Sequence, residues 1–208
     1  MSTHGVSVDL VQHPEVVSPP RFTTAPIGWQ PWLEPVAEHE LTAVQRDALI
    51  DAGRVKSDYF RLLARDPAIL KARTLTDNDI FYNPDAGLSR GEREFAAAVT
   101  SRFNGCIFCA SVHARFAAHF LEDGSDVQPL LDHGVAADVS DAHRAIVDAV
   151  VALTRTPVAF DAGHVASLRA AGLDDQSIAD LVHASAFFNW ANRLMLSLGE
   201  PDASGVPL

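Results

Sequence analysis

Cysteine is scarce in this chain of 208 residues, with two in all. That excludes the disulfide framework that staples small secreted domains. Long apolar runs are missing as well: stretches such as AIVDAVVAL are short and carry charge, which excludes a helical membrane span. The opening MSTHGVSVDLVQHPEVV has neither the basic nor the apolar region of a signal peptide. The expected location is cytoplasmic, a reducing compartment where a thiol pair is reactive or ligating rather than a permanent bridge. Positive charge is in short supply, with 16 Lys+Arg against 27 Asp+Glu and a net charge of −11. No basic cluster breaks that pattern, so phosphate backbones are repelled and nucleic acid is excluded as a partner. Alternating strand patterns and tandem repeats are absent too.

What is present is enough apolar content for a core, 48% of the chain, in one domain plus an arm. Residues 1–40 hold Pro14, Pro19, Pro20, Pro26, Pro31 and Pro35 together with Trp29 and Trp32. This stretch reads as an extended arm packed on the body or on a neighbouring subunit. Residues 41–208 read as a single all-α domain. LTAVQRDALIDAG predicts a helix capped at Thr42, with apolar Val44, Ala48 and Leu49 on one face and Gly53 as its stop. SDYFRLLARDPAILKART predicts a helix from Ser57, broken at Asp66-Pro67 and resumed behind the proline. Ser89 followed by Glu92 forms a capping box for a helix that runs to Gly105. A new helix is expected from Cys106 to about Glu122. Four more follow: around VQPLLDHG, from Ser140 to before Pro157, in DAGHVASLRAAG, and from Asp174 or Asp175 to Gly199. The sum is a compact helical bundle.

The two cysteines stand three apart in FNGCIFCASVHARF, residues 103–116. The break at Gly105 places both in the first turn of a helix, where unpaired N–H groups and the helix dipole favour a thiolate. His113 lies four residues past Cys109 and so shares its face. An imidazole there can take the thiol proton or hold a thiolate–imidazolium pair. Spacing of three lets the sulfurs close into a disulfide once one is oxidised. Two other readings stand beside this one. Free cysteines are among the most buried residues, so the pair could be core packing. Cys106, Cys109, His113 and His119 also give a zinc-like spacing, although His119 falls well round the helix from His113. In the last helix, His183, Phe187, Phe188 and Trp190 form a stripe suited to core, interface or pocket. Asn192 and Arg193 fit helix packing or ligand contact equally.

C-x-x-C-x-x-x-H opening a helix in an all-α chain resembles the alkylhydroperoxidase D-like (AhpD-like) branch of the carboxymuconolactone decarboxylase family. Glu94, twelve residues before the first cysteine, matches that family's glutamate on the preceding helix. FFNWANRLMLSLG, residues 187–199, resembles the Asn-Arg…Gly ending of the peroxidase-related members. The resemblance spans roughly residues 55–200. It implies the AhpD-like helical fold and a thiol-dependent peroxidase. Cys109 would attack the hydroperoxide, Cys106 would resolve the sulfenic acid, and Glu94 with His113 would relay protons. Phe108 departs from the best-studied pattern, which has histidine before the second cysteine; the pocket loses a proton carrier and becomes more apolar.

No cofactor and no metal is implied. The implied partners are a hydroperoxide substrate, a thioredoxin-like or dihydrolipoyl dithiol reductant, and further copies of the chain as a dimer, trimer or hexamer. Two alternatives belong to other classes. A carboxymuconolactone decarboxylase-type lyase is opposed by the cysteine pair, which such members generally do without. A non-catalytic thiol redox sensor would form the disulfide without turnover.

Overall fold

The computed structural model describes residues 10–206. The first nine residues of the arm lie outside the described residues, as do 207–208. The architecture is all-α. Nine helices are described: α1 (Ala43–Ala48), α2 (Asp58–Leu63), α3 (Pro67–Tyr82), α4 (Arg90–Asn104), α5 (Ile107–Phe120), α6 (Val127–His133), α7 (Asp141–Thr154), α8 (Ala162–Ala170) and α9 (Asp175–Leu198).

Most boundaries follow from local chemistry. Thr42 with Gln45 and Ser89 with Glu92 close reciprocal capping boxes on α1 and α4. Asp66 accepts from the Ile69 N–H while Pro67 fills the first turn of α3, where a missing N–H costs nothing. Ser140 and Asp174 cap α7 and α9 in the same way.

The centre of the fold is a hairpin of α4 and α5. Gly105 turns the chain between them in a left-handed conformation, φ +78°, which a glycine adopts without the clash a Cβ would bring. At the far end of the hairpin, a Cβ on Gly91 would lie 2.7 Å from the Leu121 nitrogen, so glycine is what lets the helices approach. The pairings Gly91 with Leu121 and Glu94 with His113 make the hairpin antiparallel. α4 also packs along α9 and α7, and Phe95, Val99, Ala110, Leu130, Ile146 and Leu181 fill the main core between them.

Three expectations are corrected. The helix foreseen up to Gly53 stops at Ala48, and Ile50 takes a positive φ of 64° before a short 3₁₀ segment. Its Val44 is 67% exposed, because α1 is short and touches α3 with its other face. α3 runs on to Tyr82, eight residues past the pattern that foretold it, and carries Phe81 and Tyr82 to the site described below. Strands also occur: β1 (Gly28–Pro31) pairs antiparallel with β2 (Gly199–Asp202). Four residues rich in glycine and proline show no alternation, so this pairing comes from the two ends meeting.

Residues 10–40 lie against the body of their own chain. Trp29 Nε1 donates to the Met195 carbonyl at 3.2 Å and Trp32 Nε1 to Glu200 at 3.1 Å. Asp202 gathers this clasp: it accepts from the Ser204 N–H (2.8 Å), the Gln30 amide (3.2 Å) and the Val17 N–H (3.3 Å). The Ser204 hydroxyl is the main cause holding its carboxyl down to about 2, below the ordinary 3.8; burial opposes it, and the Ser204 N–H, Gln30 amide and Val17 N–H assist. A lowered carboxyl contributes stability that is complete above about pH 4 and is lost as the pH falls towards 2. Tryptophan emission is therefore expected to shift to the red between about pH 4 and pH 2, and Asp202→Ala should remove that step. Emission unchanged down to pH 2 in the native chain would contradict the clasp.

Candidate active site

The α4–α5 turn decides where the cysteines stand. Cys106 is the N-cap of α5 and Cys109 sits in its first turn. Both thiols are free and both are buried, at 2% and 5% exposure. The helix-tip argument expected negative charge to be favoured on both sulfurs. Instead the Cys106 thiol is the one held below its ordinary value. The hydrogen bond from the Cys109 thiol is the main cause, burial opposes it, and the Cys109 N–H and Asn192 amide assist. The Cys109 thiol is pushed well up, first because its proton is committed to Cys106 and then by burial and by charge on the neighbouring sulfur. Of the two, the sulfur at the helix cap is therefore the easier to ionise, and the Cys109 thiol the harder. Asn192 belongs to this arrangement: its amide donates to Ser101 Oγ at 3.0 Å and its carbonyl accepts from Asn104 at 3.1 Å.

Cys109 faces a cavity of about 290 Å³, at the lower end of small-molecule sites. Phe108, His113, Glu94, Phe81 and Phe188 share its lining with Cys109. Glu94 is 1% exposed on α4, and the hairpin sets its carboxylate against α5. His113 Nδ1 donates to Glu94 Oε2 at 2.6 Å, while Arg90 Nε and Nη2 donate to Oε1 at 3.2 and 3.1 Å. The carboxylate is therefore satisfied on both oxygens and fixes the imidazole tautomer, leaving Nε2 as the nitrogen able to accept a proton. Phe188 holds the ring edge-on at a centroid distance of 4.0 Å, and Phe81 lies tilted against it at 5.3 Å while touching Phe188. Phe108 adds an apolar ring to the lining.

Of the residues picked out in the sequence, Cys106, Cys109, Glu94 and His113 are brought together. His119 is not part of the group: it packs edge-on against Phe120 at 4.7 Å. Among the described residues no cluster of three or more His, Cys, Asp or Glu side chains could hold a metal ion. His183 lines a separate cavity with Arg93 and Asp180, and Arg193 reaches back to the Asn189 carbonyl. Sequence reasoning missed Arg90, although its offset of four from Glu94 is an ordinary helical ion-pair signal. It also missed Tyr59 and Arg73, which line the cavity and carry no spacing signal at all.

An all-α bundle built round this helix hairpin has the AhpD-like helical fold. Residues 67–152 match the sequence model of the carboxymuconolactone decarboxylase family. Among solved structures, the chain is similar to the AhpD core of an uncharacterized peroxidase-related protein from Ralstonia eutropha JMP134. Identity is 22% over 77% of this chain and 86% of that one, with a TM-score of 0.65. An uncharacterized peroxidase-related protein from Silicibacter sp. TM1040 is 25% identical over 76% of this chain and 83% of its own, with a TM-score of 0.62. The debrominase Bmp8 shares the fold at 16% identity, over 79% and 88% of the two chains, with a TM-score of 0.61. No curated protein matches the chain. No helix among the described residues is long and apolar enough to cross a membrane.

Proposed function

We propose that the protein is a thiol-dependent peroxidase that reduces organic hydroperoxides through Cys106 and Cys109. The observation that carries this reading is that Cys109 lines the same small apolar cavity as the His113–Glu94 pair. The Cys109 thiol is hydrogen-bonded to Cys106, and the His113 imidazole, one helical turn on in the same cavity, is the candidate base for its proton. Once bared, the Cys109 sulfur attacks the terminal oxygen of the hydroperoxide. An S–O bond forms, the O–O bond breaks, and the departing alkoxide takes a proton through His113, which the Glu94 carboxylate steadies. Cys106 then attacks the sulfenic sulfur. The S–S bond forms, the S–O bond breaks, and the released hydroxide leaves as water. Hydroperoxide and two thiols become alcohol, water and a disulfide. A thioredoxin-like or dihydrolipoyl dithiol restores the pair by exchange. The debrominase among the structural neighbours accords with a fold that serves more than one reaction.

The test is direct. The reduced protein receives one equivalent of cumene hydroperoxide, and the peptide carrying residues 103–116 is weighed. The expected result is the loss of two hydrogens from that peptide, one equivalent of cumyl alcohol, and repeated turnover once the dithiol is supplied. A pair still reduced after excess hydroperoxide would overturn the proposal.

A further inference from the structure

The cavity holds a cation that the thiol chemistry does not require. Arg73, on α3, is only 8% exposed, and its guanidinium lies over the rings of Phe187 (5.2 Å), Phe60 (5.4 Å) and Tyr59 (5.8 Å). Its one carboxylate contact is loose, Nη1 to Asp77 Oδ2 at 3.4 Å, and Arg54 Nη2 draws on the same oxygen at 3.7 Å. Two guanidiniums thus share one carboxylate, leaving an excess positive charge in the wall. The Arg73 Nε is buried without a partner, and the Tyr59 hydroxyl has none beyond the Arg73 guanidinium it lies against. That hydroxyl keeps its proton at neutral pH, since burial pushes it up to about 12. Both side chains line the cavity with Cys109. Leaving a buried charge and a buried donor unsatisfied is costly, and a planar guanidinium is shaped to receive the two oxygens of a carboxylate.

We propose that Arg73 and Tyr59 form an anion subsite in the Cys109 cavity, so that the substrate carries a carboxylate alongside its reactive group. Taken with the peroxidase reading, on which the nature of that reactive group rests, the substrate is a small carboxylated organic hydroperoxide. The apolar remainder of the wall takes its hydrocarbon part.

Phenylacetate and its neutral counterpart phenylacetamide serve as probes, titrated calorimetrically into the reduced full chain. Phenylacetate is expected to bind at least about tenfold more tightly, as suits a charge-assisted contact in a poorly hydrated site. Arg73→Met should erase that preference and Arg73→Lys, which keeps the charge, should retain part of it. Equal binding of the two probes by the native chain, or an unchanged preference in Arg73→Met, would overturn the subsite. Protection of native Cys109 from N-ethylmaleimide needs no variant, and phenylacetate should protect at concentrations about tenfold lower than the amide. Equal protection would likewise count against the subsite. These readouts do not depend on turnover, so an anion preference without peroxide reduction would sink the peroxidase reading and leave the subsite standing. If instead Arg73 serves only to favour the thiolate, Arg73→Met would slow carboxylated and neutral hydroperoxides alike, which also overturns the proposal.

Discussion

Cys109→Ser is expected to abolish hydroperoxide reduction, a loss of at least about a thousandfold in kcat/KM, because the attacking atom itself is gone. Cys106→Ser should behave differently. The first equivalent of hydroperoxide still converts Cys109 to a sulfenic acid, which a dimedone-type probe traps, but no disulfide closes and turnover stops after one cycle. The same substitution tests the hydrogen bond within the pair. The bond to Cys106 is the largest cause holding the Cys109 thiol up, so its removal should let that thiol ionise at lower pH. The alkylation rate of Cys109 against pH should therefore inflect lower in Cys106→Ser than in the native chain. A sulfenic acid found on Cys106 in the Cys109→Ser protein would reverse the two roles. Repeated turnover by Cys106→Ser would remove Cys106 from the mechanism.

How much of this could be read in advance differs from element to element. The hairpin was legible: Ser89 and Glu92 announce its start, Gly105 its turn, and the offset of four from Cys109 to His113 its second helix. Those are local rules, and local rules survive folding. The contact between Glu94 and His113 spans two helices, so spacing offered only the condition that they pack antiparallel. The behaviour of the thiols was half legible. Charge is favoured on Cys106 at the helix cap, but chiefly through the Cys109 thiol; the same hydrogen bond and then burial govern Cys109, and neither is written in a run of residues. Arg73 and Tyr59 show the limit. One arginine within AILKART looks like any solvated helical charge until α3 and α2 are packed against α9. The β1–β2 clasp was hidden for the same reason, since it joins residues more than 160 positions apart.

Glu94→Gln is the second large effect. The side chain keeps its shape, but the negative charge that steadies His113 and pairs with Arg90 disappears. General acid–base assistance contributes about 10²–10⁴-fold to rates, and a loss of about a hundredfold or more in kcat/KM is expected here. Stability should fall as well, by about 1–3 kcal/mol, the usual cost of leaving a buried donor unsatisfied. The loss stays moderate because Arg90 is partly exposed and rests on the rings of Tyr82 (4.2 Å) and Phe120 (4.3 Å). Chemical denaturation measures that loss, and steady-state kinetics at saturating dithiol measures the other. Glu94→Asp separates charge from reach: its carboxylate is one methylene short of holding His113 and Arg90 together, so it should recover stability better than rate. If Glu94→Gln melts earlier yet turns over at the native rate, the carboxylate is a structural pin. The proton for the leaving alkoxide must then come from elsewhere, and the proton of the Cys106–Cys109 hydrogen bond becomes its source.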